Sequence, residues 1–209
     1  MKNKLSLLSL LLIFLIGTYL RFDRLGTFPI SLNWDEVSHG YNAFSLIKTQ
    51  RDEWGQKLPP IFRAFGDYKL PSYIYLSTIP IFFFGLSAFS VRFISALFGG
   101  LSIIGIYFLT NLILTKKSLP SPKISFLNFG HLSAFILATT PWHFFISRAA
   151  LEANLSLTFI IFGLYFFLTN NRLLNNLGLV LFGVSLHTYN TARIFVPAML
   201  AFIYLFNRS

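Results

Sequence analysis

The sequence has no cysteine, which excludes disulfides, thiolate metal sites and cysteine nucleophiles. Charge is scarce too. Asp, Glu, Lys and Arg make up 11% of the 209 residues, against about 25% in an average soluble domain. Only seven residues are acidic. No internal repeat and no low-complexity linker divides the chain. What it has in abundance is apolar surface, 55% hydrophobic residues with 26 Phe, gathered in long runs. A soluble core of this size does not hide so much apolar surface, whereas lipid can replace the missing protein partners. The net charge of +10 raises the question of nucleic acid. The basic residues sit mainly between apolar runs and form no aromatic-interleaved stripe, so nucleic acid is not an expected partner. They read as topology signals for a chain whose partner is the lipid bilayer.

The expected fold class is all-α: a polytopic membrane helical bundle of about six transmembrane helices, with surface-lying amphipathic helices in the first extracytoplasmic loop. The apolar runs are 5–20, 91–114, 124–140, 155–169, 173–186 and 194–206. The first follows Lys2 and Lys4 and precedes Arg21. It reads as a signal anchor, because no small-x-small cleavage site follows and more apolar runs do. Several runs fall short of the roughly 20 residues of a perpendicular span, and flanking Lys and Arg can cover part of the deficit by snorkelling. The segment 73–86 is apolar but short, and Pro80 and Gly85 interrupt it. If it stays on the surface and the N-terminus is cytoplasmic, Lys2, Lys4, Lys116, Lys117, Lys123, Arg172 and Arg208 fall inside. All seven acidic residues then fall outside. The positive-inside rule favours that arrangement. It leaves three outside loops, 21–90, 141–154 and 187–193, with ionisable groups on one side of a plasma membrane. The loops read either as one extracytoplasmic site or simply as water-facing connections.

Within the first loop, Val37, Tyr41, Phe44 and Ile47 recur at helical spacing. Asn33 suits an N-cap and Glu36 the capping-box position. Asp35 and Glu36 therefore have an architectural reading, as first-turn acids, beside a catalytic one. Trp34 and His39 read as interfacial packing. Further on, Gly66, Asp67, Tyr68, Lys69, Leu70 and Pro71 lead into the 73–86 segment. Lys69 and Arg92 read either as phosphate contacts at headgroup depth or as snorkelling anchors.

Taken in order, these pieces resemble the GT-C glycosyltransferases. They look most like the branch of the dolichyl-phosphate-mannose protein mannosyltransferases, the lipid A aminoarabinose transferases and the Rgt-like transferases. The residues that carry the resemblance are Arg21, the pair Asp35 and Glu36, Lys69 with Pro71, Arg92, and Arg148 with Glu152. His187, Tyr189 and Arg193 add a likeness to the third outside loop of the Rgt-like branch. Leu70 stands where the family more often has a second proline, and Glu152 where it more often has Asp. Family members have about twice as many spans, so the chain looks like an N-terminal part.

The resemblance implies an enzyme that moves a sugar from a polyprenyl-phosphate donor to a hydroxyl acceptor on the extracytoplasmic face, with inversion. Asp35 would be the general base and Glu36 its neighbour or substitute. Lys69, Arg92, Arg148 and Arg193 would meet the phosphate oxygens, where negative charge develops. Glu152 would hold the acceptor or join Asp35 around a divalent cation, magnesium or manganese. His39 and His187 could join such a metal site, and His131 reads as a packed mid-span polar group. The sugar and the acceptor, whether protein, lipid or glycan, are not legible. A transporter and a non-catalytic remnant of a glycosyltransferase are the alternatives. The first is disfavoured because the acids all lie in loops.

Overall fold

The computed structural model describes residues 2–116 and 127–206. Its helices are α1 (Lys2–Phe22), α2 (Trp34–Thr49), α3 (Pro71–Phe84), α4 (Ala88–Lys116), α5 (Phe129–Thr139), α6 (Pro141–Arg148), α7 (Glu152–Phe167), α8 (Arg172–Leu186) and α9 (Ala192–Phe206). A hairpin of β1 (Phe62–Ala64) and β2 (Asp67–Lys69) precedes α3. The all-α class holds apart from this hairpin. Among the described residues, two helical stretches can cross a membrane by length and composition: Lys4–Phe22 and Ala88–Thr115, each of mean hydropathy 2.0. A third crossing is added if α6 and α7, bent by 118° where they meet, are taken as one. The helices in the other apolar runs are shorter. The run 124–140 begins outside the described residues, and its helix α5 has 11 residues. Proline explains that length: Pro141 disfavours helix at Thr140 and restarts the chain as the first residue of α6. His131 lies in the first turn of α5, not mid-span as expected, and completes a capping box with Asn128.

Helix α4 is the hub, packed against α1, α3, α5, α6 and α7, while α7 packs on α8. The core nearest the site joins α2, β1, α3, α4 and α7 through Leu46, Phe62, Tyr73, Ile74, Val91 and Leu155. Outside the bilayer, burying a side chain of this size stabilises by about 1.5–3 kcal/mol. Gly40 lets α2 lie directly on α4, since a Cβ there would meet Val91 Cγ2 at 2.6 Å.

Helix α2 divides its apolar stripe between two surroundings. Phe44 and Ile47 pack on the core, but Val37 and Tyr41 are 46% and 52% exposed. The buried face is Glu36, Ser38, His39, Gly40, Asn42 and Ala43. Small residues and specific polar contacts fix the rotation of this helix, and the apolar side chains are left facing outward.

Helix α3 has 14 residues, about 21 Å at 1.5 Å per residue, against a hydrocarbon core of roughly 30 Å. Tyr73, Ile74, Ser77, Pro80 and Ile81 face the protein, and Phe82, Phe83 and Phe84 face outward. In the hairpin, Ala64 pairs with Asp67 across Phe65 and Gly66, whose φ values are +47° and +82°. Positive φ at both positions marks a type I′ turn, which fits the twist of the strands. Asp67 and Lys69, two apart in β2, share one face.

Candidate active site

The chain enters α2 through Asn33. Its side chain accepts from the Glu36 amide, and Glu36 Oε2 accepts from the Asn33 amide at 2.9 Å. This capping box turns Glu36 inward and leaves Asp35 facing outward. Glu36 is 1% exposed. Its carboxylate also accepts from Arg92 Nε at 2.7 Å, Arg92 Nη2 at 3.2 Å and the Ala150 amide at 3.0 Å. Arg92, fully buried, gives its remaining donors to the carbonyls of Leu25, Pro29 and Ser31 at 2.9–3.1 Å. All five guanidinium N–H groups are thus engaged. The expected contact of Arg92 with a phosphate has no donor left to make it, and Glu36 has no exposed oxygen with which to act as a base. The pair locks loop 25–31 and Ala150 onto the start of α2.

Asp35 stands on the other side of that lock. Lys69 Nζ lies 2.8 Å from its carboxylate and 3.0 Å from that of Asp67. Both partners of the Asp35–Lys69 pair keep some exposure, 24% and 13% of their side chains. Burial works against the Lys69 charge. The hydrogen bonds to Asp35 and Asp67 and the nearby negative charge of Asp35 and Glu152 outweigh it, and the ammonium is held above its ordinary value. The Tyr68 amide and Lys69 in turn hold the Asp67 carboxyl below its ordinary value. These groups line a cavity of about 250 Å³ with Trp34, Ala64 and Phe65. That is below the roughly 300–1,000 Å³ of drug-sized sites, and so of the size of one small ring. Trp34 and Phe65 are 71% and 69% exposed at its rim.

Glu152 opens α7, and its Oε1 lies 3.1 Å from His39 Nε2. The other ring nitrogen, Nδ1, lies 3.0 Å from the Ala150 carbonyl. Asp35, Lys69, Glu152 and His39 therefore share one neighbourhood built from α2, β2 and α7. Beside Pro71 runs an apolar groove of about 710 Å³, lined by Pro59, Tyr75, Leu76, Phe159, Val184 and His187 among others. It descends past Phe159, in the middle of α7.

The other expected site residues lie elsewhere. Arg148 donates to the carbonyls of Leu20 and Phe28 at 2.7 and 3.1 Å, which fastens α6 to the end of α1. Arg21, fully buried, donates to the Gly17, Leu137 and Ala138 carbonyls and to Ser147, and meets His143 Nδ1 at 2.7 Å. Arg193 Nε donates to the Leu186 carbonyl at 3.2 Å, at the end of α8. Tyr189 lies beside it, 38% exposed. His187 reaches the site's edge through its carbonyl, which accepts from Ser72 Oγ at 2.9 Å.

A divalent cation between Asp35 and Glu152 does not fit these groups. Lys69 already places a positive charge on Asp35, and the Glu152 oxygen faces His39. Among the described residues, no three of His, Asp and Glu converge as a ligand set. Asp67, Trp34 and Phe65 are the members of the neighbourhood that sequence reasoning left out of the site, and His39 entered it only as a candidate metal ligand. The two-residue spacing of Asp67 and Lys69 in a short strand was a usable signal for Asp67. Comparison with protein-family models, curated proteins and solved structures gives no match to this chain.

Proposed function

We propose that the chain belongs to a multi-pass glycosyltransferase of the plasma membrane. It would move a sugar from a polyprenyl-phosphate donor to a hydroxyl acceptor on the extracytoplasmic face. The observation that carries this reading is the Asp35–Lys69 pair, half-open at a polar, aromatic-rimmed cavity beside an apolar groove. Lys69 offers a compact charge with three donors. When a donor phosphate arrives, Lys69 exchanges Asp35 for the phosphate oxygens, and the freed carboxylate turns to the acceptor. The acceptor oxygen forms a bond to the anomeric carbon as its proton passes to Asp35. The bond from that carbon to the phosphate oxygen breaks, and its electron pair leaves with the polyprenyl phosphate. Configuration inverts, and most of the rate comes from positioning and from the charge of Lys69. The apolar chain of the donor lies in the groove past Leu76 and Phe159.

In this reading Trp34 and Phe65 stack on the sugar ring. Phe65 supports it by its cost. At φ +47° a non-glycine side chain is uncommon, and such strain concentrates at functional positions. Asn is favoured in this turn. Phe65→Asn should leave thermal stability equal or higher while raising the KM for donor about 2- to 10-fold, the worth of one aromatic stacking contact. Unchanged donor KM in Phe65→Asn, and likewise in Trp34→Ala, would leave both rings as interfacial anchors.

The proposed topology puts α3 and α6 on the outer surface, with α1, α4, α5, α7, α8 and α9 making the crossings. The absence of native cysteine makes it directly testable. Exposed Gln56, Asn170 and Asn190 would be replaced one at a time by Cys in intact cells and treated with an impermeant thiol reagent. Gln56→Cys and Asn190→Cys should label and Asn170→Cys should not. Labelling at 170 without labelling at 190 would mean that α3 crosses. Ser121, expected inside, lies outside the described residues.

A further inference from the structure

We infer that His39 and Glu152 hold one proton between them, and that this proton sets the charge an incoming phosphate meets. A backbone carbonyl can only accept, so the 3.0 Å contact with Ala150 places a proton on His39 Nδ1. The neutral ring then has a bare lone pair on Nε2. That lone pair cannot rest 3.1 Å from a carboxylate oxygen without a proton between them. Either the ring is an imidazolium facing a carboxylate, or Glu152 is protonated and donates to the ring. The proton count is the same in both. His39 is fully buried and the Glu152 side chain 11% exposed, so bulk water does not replace the missing proton.

The groups around the pair are fixed. Lys69, on β2, is close enough to feel the charge of Glu152, and its ammonium is paired with Asp35 and Asp67 at 2.8 and 3.0 Å. The Tyr73 ring of α3 lies 5.0 Å from His39, with its hydroxyl donated to the Val91 carbonyl. Glu36 and Arg92 neutralise each other behind them. With the shared proton in place, the pair is neutral and the neighbourhood of Lys69 carries one net negative charge. Without the proton it carries two, and a phosphodiester is repelled more strongly. His39 is thus a positioning residue: it neutralises Glu152 so that Lys69 can take an anion. The shared proton stands on hydrogen-bond geometry alone, and only its consequence for the donor rests on the proposed transfer.

The test uses the full chain in nanodiscs, with ¹⁵N-labelled histidine and ¹³C-labelled glutamate. The His39 signals are assigned by replacing His131, His143 and His187 in turn, so that they are read even if His39 variants fail to fold. Nδ1 should be protonated, and the ring and Glu152 together should hold one further proton between Nε2 and Oε1. In Glu152→Gln, His39 should be neutral with its proton on Nδ1, because the new amide donates to Nε2. A neutral ring protonated on Nε2, or a bare Nε2 facing ionised Glu152, would overturn the shared proton. The charge consequence is read with farnesyl phosphate as probe. His39→Gln should bind it at least about tenfold more weakly, the order expected for each unit of charge on the phosphate from one unit charge roughly 10 Å away at an effective dielectric near 20. The double variant His39→Gln, Glu152→Gln should recover most of that loss. Equal weakness in the single and double variants would overturn the charge role in favour of packing. Absence of farnesyl phosphate binding in the wild type, with the shared proton observed, would support the pair and overturn the donor reading.

Discussion

Asp35→Asn should slow sugar transfer by about 10²–10⁴-fold, the range in which a positioned general base contributes. The substitution keeps the shape of the side chain at the start of α2. The capping box that holds this helix start belongs to Asn33 and Glu36, so the fold should be unaffected. Lys69 keeps Asp67 as a partner at 3.0 Å and remains placed for the phosphate with one negative charge fewer beside it, so donor KM should hold or fall while kcat falls. The raised pKa of Lys69 bears on the pH profile. A cation held above its ordinary value contributes its pairing energy fully below the unfolded pKa and loses it only as pH rises through the folded one. Lys69 therefore stays an ammonium through neutral and mildly alkaline pH and supplies no limb there. Asp67, held below its ordinary value, keeps its charge until pH falls through that lower value. Near-normal turnover of Asp35→Asn at normal expression would return Asp35 to a helix-start residue and move the base to Glu152, since Glu36 is sealed by Arg92.

The second large effect falls on stability. Arg92→Met should destabilise the protein by about 3–5 kcal/mol, because it leaves Glu36 buried with an uncompensated charge. It also strips three carbonyls, those of Leu25, Pro29 and Ser31, of their donors. Arg92→Lys should recover only part of the loss, since an ammonium has three donors where the guanidinium uses five. Replacing both residues, Glu36→Met with Arg92→Met, should be less damaging than Arg92→Met alone, as removal of a whole buried pair usually is. The readout is the thermal unfolding midpoint in nanodiscs. A double variant as unstable as Arg92→Met would locate the cost in loop 25–31 rather than in the stranded carboxylate.

These two residues also show what could be read from the sequence and what could not. The start of α2 was legible, because a capping box is written in four adjacent residues, Asn33 to Glu36. The length of α3 was legible, because an apolar run bounded by Pro71 and Gly85 cannot grow. The separation of roles within the Asp35–Glu36 pair was not. Adjacent residues on a helix point about 100° apart, and which of them turns inward depends on Arg92, 56 positions away. The engagement of Arg92, Arg148 and Arg21 with backbone carbonyls was hidden for the same reason: carbonyls carry no mark in a sequence, so each Arg read as a free cation. The spacing of the α2 stripe was legible, but not its division, with Phe44 and Ile47 on the core and Val37 and Tyr41 outward. The hairpin went unforeseen because its turn holds Phe65 where Asn or Gly is the usual signal. Asp67 and Lys69 were noticed as neighbours, but their joint approach to Asp35 needs that hairpin.

The most direct test of the proposed transfer is ³¹P NMR of a polyprenyl phosphoryl hexose in nanodiscs containing the chain and a hydroxyl acceptor. The diester and the monoester product give separate resonances, so one spectrum reads both binding and bond cleavage. The proposal predicts that the diester resonance shifts on binding and converts with time to monoester, and that Asp35→Asn keeps the shift but loses the conversion. A diester resonance that neither shifts nor converts in the presence of the wild-type chain, or one that converts equally fast with Asp35→Asn, would contradict it.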